Sequence, residues 1–167
     1  MNKSDKNTYI NTGDFMKFDY KRLFKIIFFT FLVGSLFAIF TGNKTYDTLN
    51  KPFSLPGIVF PIVGSILYLI MSISYYRVTE IATLDKRDDL FLAYASQLII
   101  NSLWTLIFFG LKLYFFGFLW ILLLIVFVII MIIKFYKVDK ISGLINIPYL
   151  LWLFFAGFLN LSIYLLN

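Results

Sequence analysis

Ile121-Leu-Leu-Leu-Ile-Val-Phe-Val-Ile-Ile-Met-Ile-Ile133 is apolar at every position. A helix on a protein surface shows water a polar face, and a half-buried strand alternates. This run does neither, so every side of it must meet something apolar. It lies at the end of a longer charge-free stretch, 113–133, and four similar stretches occupy 26–43, 52–76, 90–111 and 141–167. A bilayer core of about 30 Å is crossed by roughly 20 apolar residues rising about 1.5 Å each. Each stretch is long enough for one crossing and too short for two. A membrane β-barrel would instead show alternating segments of about 10 residues.

The composition agrees. Of 167 residues, 60% are hydrophobic, 21% aromatic and 14% charged, against about 25% charged in a soluble domain. That excludes an ordinary soluble enzyme and a disordered chain, and the absence of Cys excludes a disulfide scaffold. With neither His nor Cys present, His-based catalysis and His or Cys metal ligation are excluded, and no metal site is expected. The expected fold is an all-α integral membrane protein, a five-transmembrane-helix bundle. Its spans fall near 24–41, 57–76, 90–110, 113–133 and 143–165. A polar tail, 1–22, precedes a single membrane domain, 23–167. The first span follows about 22 polar residues and lacks a small-residue cleavage site after Phe40, so it reads as a retained helix rather than a leader.

Lys and Arg set the expected orientation. Lys3, Lys6, Lys17, Lys21, Arg22 and Lys25 precede or open the first span; Arg77, Lys86 and Arg87 follow the second; Lys134, Lys137 and Lys140 follow the fourth. Only Lys44, Lys51 and Lys112 fall on the other side. Twelve against three predicts the N-terminus inside and the C-terminus outside. The net charge of +6 then reflects topology and anionic headgroups, and no nucleic-acid partner is implied.

Every Asp and Glu lies outside the five spans, which argues against a proton-coupled pump. Asp85, Asp88 and Asp89 stand beside Lys86 and Arg87 and read as a solvated turn rather than an acid/base pair. The uncharged polar residues carry more information. Tyr94, Gln97, Asn101 and Trp104 are spaced to share one helix face, as are Tyr149, Trp152, Ala156 and Asn160. Amides are costly in hydrocarbon unless paired, so both faces should turn inward. Interhelical hydrogen bonding is the commoner use of such amides; the lining of a ligand cavity is the other. The pattern alone leaves both open. Pro52 and Pro56 suit the entrance of the second span, and Gly57, Gly64 and Ser65 allow close approach of a helix or a ligand. Gly34 and Ala38, four apart, allow a helix contact within the bundle or between two copies.

Several runs resemble the tryptophan-rich sensory protein / translocator protein (TspO/MBR, peripheral benzodiazepine receptor) family. They are Tyr46-Asp-Thr-Leu-Asn-Lys51-Pro52, Pro56-Gly57-Ile-Val-Phe60-Pro61, and Leu67-Tyr68 with Met71. To these the chain adds Gln97-Leu98, Asn101, Trp104 and Phe108-Phe109-Gly110, then Pro148-Tyr149-Leu150-Leu151-Trp152, Phe155-Ala156 and Leu159-Asn160. The resemblance covers about residues 30–167. It implies a five-helix bundle, often a homodimer, with a hydrophobic cavity closed by the first loop. It implies a receptor or carrier binding porphyrin, haem and other flat hydrophobic ligands, including benzodiazepine-like ones, with a role in tetrapyrrole transport or stress sensing in a bacterial plasma membrane. No cofactor is required; porphyrin or haem would be the ligand.

By the same resemblance the ligand-binding residues are Tyr46, Phe60, Gly64, Tyr68, Tyr94, Gln97, Asn101, Tyr149, Trp152 and Ala156, with Lys44 and Lys51 as charges at the cavity mouth. The chain departs from the family pattern at Thr45 and Gly64, which replace tryptophans, at Leu55, which replaces the first of two prolines, and at Trp120, which replaces an acidic residue. Light-dependent porphyrin degradation, the enzymatic alternative, would use Trp152, and the loss of a second-span Trp at Gly64 weighs against it. A membrane scaffold without a small-molecule role is the remaining alternative.

Overall fold

A computed structural model describes residues 18–37, 44–47, 49–52 and 56–167, the side chains of Lys44 and Thr45 excepted. The tail to residue 17 therefore lies outside the described residues. Helices make up the described chain: α1 (Tyr20–Gly34), a single turn α2 (Lys44–Asp47), α3 (Val59–Ile81), α4 (Leu84–Thr105, continued by a wider π turn over Leu106–Gly110), α5 (Tyr114–Val138), α6 (Lys140–Leu144) and α7 (Ile147–Leu166). Four of the helical stretches are long and apolar enough to cross a membrane: Val59–Ile81, Leu84–Gly110, Tyr114–Val138 and Lys140–Leu166. This is an integral membrane helical bundle.

The stretch 121–133 resolves into two faces. Ile121, Leu124, Ile125, Val128 and Met131 are buried, whereas Leu122, Leu123, Val126, Ile129, Ile130 and Ile133 are exposed. The first set, at spacings of 3, 1, 3 and 3, packs α5 against α4 and α7. The second is as apolar as the first, as a lipid-facing surface must be. Helix α1 packs against α3 and α4.

The first expected span differs from the structure. Helix α1 starts at Tyr20 and ends at Gly34, and its 15 residues cover only about 22 Å. The start moves because Asp19 caps it, accepting from the Arg22 N–H at 3.0 Å. Charge therefore marks the hydrocarbon boundary and not the helix boundary. The same holds at α4, where Asp85, Asp88 and Asp89 are solvated as expected but belong to the first helical turns rather than to a loop. Ala38 lies outside the described residues. Gly34 faces the bundle: the Tyr68 hydroxyl donates to its carbonyl at 2.9 Å. A Cβ at Gly34 would stand 2.4 Å from Tyr68 Cζ, so the missing side chain is what lets α1 and α3 approach here.

The two ends of the bundle are chemically distinct. At one end Arg22 pairs with Glu80, Arg77 with Asp139, and Lys134 with Asp89. Among the described residues, Arg22, Arg77 and Lys134, one from each basic segment of the sequence, thus gather at one end. At the other, Asn50 and Asn167 clasp each other. The Asn50 N–H donates to Asn167 Oδ1 at 3.0 Å, and Asn167 Nδ2 donates to the Asn50 carbonyl at 3.0 Å. This clasp ties the loop after α1 to the end of α7. Between α6 and α7 the helix breaks at Ile145 and Asn146, just ahead of Pro148, whose ring nitrogen cannot donate to the preceding turn.

Candidate functional site

Helices α3, α4 and α7 surround a cavity of about 220 Å³ beneath α2, with α1 and α5 completing its walls. Its aromatic lining comes from five elements in different parts of the chain: Phe31 on α1, Tyr46 on α2, Phe60 and Tyr68 on α3, Trp104 and Phe109 on the α4 stretch, and Tyr149 and Trp152 on α7. Phe60 is the hub. Its ring centroid lies 4.9 Å from Tyr46, 5.9 Å from Phe109, 6.0 Å from Trp152 and 6.4 Å from Trp104. The Tyr46, Phe109 and Trp152 contacts are edge-on or tilted, as ring quadrupoles prefer.

Most of the residues singled out from sequence meet around this space. Tyr46, Phe60, Gly64, Tyr68, Asn101, Tyr149, Trp152 and Ala156 all line it. Gln97 and Tyr94 do not. Gln97 is fully buried behind Tyr149, accepting from its hydroxyl at 3.1 Å and placing Nε2 3.5 Å from Met71 Sδ. Tyr94 stacks on Tyr75 at 4.3 Å and shares a 2.5 Å hydrogen bond with Thr30. Both lie deeper on the same α4 face. Asn101 donates to Tyr149 Oη at 3.0 Å, and that hydroxyl in turn donates to Gln97. The amides of α4 thus tie it to α7 while Asn101 also borders the cavity. Interhelical bonding and cavity lining are two uses of one face, not alternatives. Asn160 is buried in the α5–α7 seam, 2.8 Å from where a Gly117 Cβ would lie, and does not border the cavity.

Lys51, expected at the cavity mouth, does not line the cavity itself; its Nζ sits 4.3 Å from the Tyr46 ring centroid and 3.7 Å from Asp47 Oδ1. The Lys44 side chain falls outside the described ones. Asp47 also accepts from the Gly57 N–H at 3.2 Å, closing the loop onto the entrance of α3. Burial first, and the Asp47 carboxylate second, push the Tyr46 hydroxyl above the ordinary phenol range. Tyr46 is therefore an O–H donor at neutral pH.

Sequence reading missed several lining residues: Phe31 and Gly34 from α1, Trp104, Thr105 and Phe109, and Ile121 and Leu124 from α5. Trp104 was on the expected inward face but was not singled out as lining. Phe109, eight residues after Asn101 and so on the same face by a 3.6 period, lies within the π turn, closed by the Leu111 N–H to the Leu106 carbonyl at 2.8 Å. Trp120 donates its indole N–H to the Ile100 carbonyl at 2.8 Å, joining α5 to α4.

Comparison with known proteins fits this arrangement. Residues 26–166 match the model of the TspO/MBR family. The chain belongs to the TspO/MBR family. It is 41% identical to Protein CrtK of Rhodobacter capsulatus over 136 residues, covering 80% of this chain and 85% of that protein. It is 34% identical to the tryptophan-rich sensory protein of Cereibacter sphaeroides over 147 residues, 84% and 91% of the two chains. The tryptophan-rich protein TspO of Archaeoglobus fulgidus is 35% identical over 136 residues, 80% of this chain and 87% of that one. For a TspO/MBR member, the notable local feature is Gly64. A Cβ built there meets nothing within 4 Å, so the α3 wall of the cavity is open at this position.

Proposed function

We propose that the chain is a membrane receptor or carrier for tetrapyrroles such as porphyrin and haem, and for benzodiazepine-like molecules, with a role in tetrapyrrole transport or stress sensing. The observation that carries this reading is the cavity walled by Phe60, Tyr68, Trp104, Phe109, Tyr149 and Trp152. A flat π system is held by stacking and edge contacts with such rings. Small-molecule pockets typically enclose about 300–1,000 Å³. At about 220 Å³ the cavity is closed down, and a macrocycle enters by displacing the loop that Asn50 and Asn167 clasp. The open space at Gly64 gives it somewhere to go.

In this reading α1 provides a fifth crossing. The N-terminus lies inside and the C-terminus outside a bacterial plasma membrane, because twelve of the fifteen Lys and Arg residues fall to one side of the spans. The test is a protoporphyrin titration of the purified protein. Saturable quenching of Trp104 and Trp152 fluorescence at micromolar porphyrin is expected, and its absence refutes the reading. Asn101→Leu should keep the fold and weaken porphyrin binding; loss of folding would favour a purely structural face.

One observation favours a second reading, light-dependent oxidation of bound porphyrin. Trp152 and Trp104 both border the cavity and flank Phe60, so two indoles adjoin the ligand space although position 64 is glycine. This reading predicts that the Soret band of bound porphyrin decays under illumination and that Trp152→Phe abolishes the decay. An unchanged decay rate in that variant removes Trp152 from the chemistry.

A further inference from the structure

Burying a tyrosine hydroxyl or an indole N–H demands an acceptor, and the bundle provides one almost everywhere. Tyr68 donates to the Gly34 carbonyl, Tyr149 to Gln97, and Trp120 to the Ile100 carbonyl, while Tyr94 pairs with Thr30. Two donors break the pattern. Tyr46 Oη and Trp104 Nε1 are buried and have no hydrogen-bond partner among the described residues. Both residues line the same cavity, and both rings pack around Phe60. Tyr46 is 0% exposed, so solvent does not satisfy its hydroxyl.

We propose that the Tyr46 end of the cavity is an acceptor-recognition subsite, where the Tyr46 hydroxyl and the Trp104 indole N–H select ligands that carry a carboxylate or carbonyl oxygen. The inference rests on the tetrapyrrole reading above and specifies which part of such a ligand points toward the loop. The chemistry is one-sided. An indole N–H can only donate, and the tyrosine hydroxyl has a proton to give. A ligand oxygen with lone pairs meets both needs; a purely hydrocarbon ligand meets neither. Lys51, side chain 13% exposed and on the face of the Tyr46 ring, adds positive charge at this end. Asp47, 3.7 Å from Lys51, offsets part of it. The rest of the cavity, toward Gly64, Leu153 and Ala156, takes the apolar body.

The test uses three porphyrins of one ring size: protoporphyrin with two free carboxylates, its dimethyl ester with carbonyl oxygens only, and octaethylporphyrin with no oxygen. Each is titrated by Soret shift into wild type, Tyr46→Phe and Trp104→Phe. Each variant should weaken the two oxygen-bearing porphyrins by about 5–10-fold more than it weakens octaethylporphyrin. A larger loss for the diacid than for the diester assigns the subsite to a carboxylate, and equal losses assign it to a carbonyl. Unliganded Tyr46→Phe should melt no lower than wild type, because among the described residues its hydroxyl has no bond to lose. A fall of several degrees reveals an internal partner and overturns the proposal. Equal variant-to-wild-type ratios for all three porphyrins overturn the subsite and leave the receptor reading intact. Failure of all three to bind wild type overturns both.

Discussion

Two glycines that line the same cavity should respond to the same substitution with opposite signs. At Gly64, on α3, a Cβ meets nothing within 4 Å. Alanine there adds no clash and gains about 0.8–1.0 kcal/mol of helix propensity over glycine. At Gly34, the last residue of α1, a Cβ would lie 2.4, 2.6 and 2.7 Å from three atoms at the far end of Tyr68. The ring must move, and two things oppose that. Its hydroxyl donates to the Gly34 carbonyl at 2.9 Å, a bond worth about 1 kcal/mol. It also packs edge-on against Phe31 at 5.6 Å, so overpacking adds about 1–3 kcal/mol. Gly34 sits at a helix end, where the propensity gain is small. Gly34→Ala should therefore destabilise by about 1–3 kcal/mol and Gly64→Ala stabilise by up to about 1 kcal/mol. Denatured membrane helices keep part of their helicity, which trims the gain at Gly64; the contrast of about 1–4 kcal/mol is set mainly by the clash. The assay is thermal unfolding in detergent, at about 2–4 °C per kcal/mol for a chain of this size. Because Tyr68 borders the cavity, Gly34→Ala should also alter porphyrin affinity. Equal losses at both positions, or a neutral Gly34→Ala, would refute the packing described for α1 and α3.

Asn167→Ala removes both side-chain bonds to the Asn50 backbone. Hydrogen exchange at Asn50 should rise, and porphyrin release should quicken by about 5–30-fold, given roughly 0.5–1 kcal/mol for each of the two exposed bonds; unchanged exchange would show that the clasp does not hold the loop. Asp139 is held down to about 2, chiefly by the hydrogen bond from Arg77 and then by bonds from Ser142, against opposing burial. A carboxyl depressed in the folded state stabilises fully above its unfolded pKa of about 3.9 and loses that contribution as pH falls toward 2. Arg77→Gln should return the Asp139 titration, followed by carboxyl carbon NMR, toward the ordinary value, and a titration that stays low would credit Ser142 instead. Lys112, at φ 56°, occupies the left-handed region in the turn between α4 and α5, so Lys112→Gly should be neutral or stabilising by up to about 1 kcal/mol in the same unfolding assay; a clear loss would show that the lysine side chain anchors the turn.

The fold was legible because the bilayer constrains each residue locally. A charge cannot sit in hydrocarbon at any position, so the gaps between charges trace the helix cores without reference to tertiary structure. Helix ends escape this logic. Asp19 caps α1 within a charged segment, and Asp85 to Asp89 continue α4 into the interface, since charge is tolerated there and hydrogen bonding decides where the helix stops. The candidate site was legible to the extent that helix periodicity holds. Asn101 and Tyr149 were placed on inward faces by spacing, and the two faces do meet. Periodicity cannot say how deep along a face the cavity lies, which is why Tyr94 and Gln97 support the wall from behind instead of forming it. Nor could it foresee Gly34 and Phe31, which reach the cavity only because α1 crosses α3 closely enough for Tyr68 to bond the Gly34 backbone. The donors on Tyr46 and Trp104, unpaired among the described residues, were the least visible of all. A sequence lists hydroxyls and indoles, and only the packed bundle shows which of them have been given an acceptor. The missing second-span tryptophan changes meaning in the same way. Position 64 alone suggested lost indole chemistry, whereas the assembled cavity has an indole on α4 and another on α7 beside Phe60, with the free volume displaced toward α3.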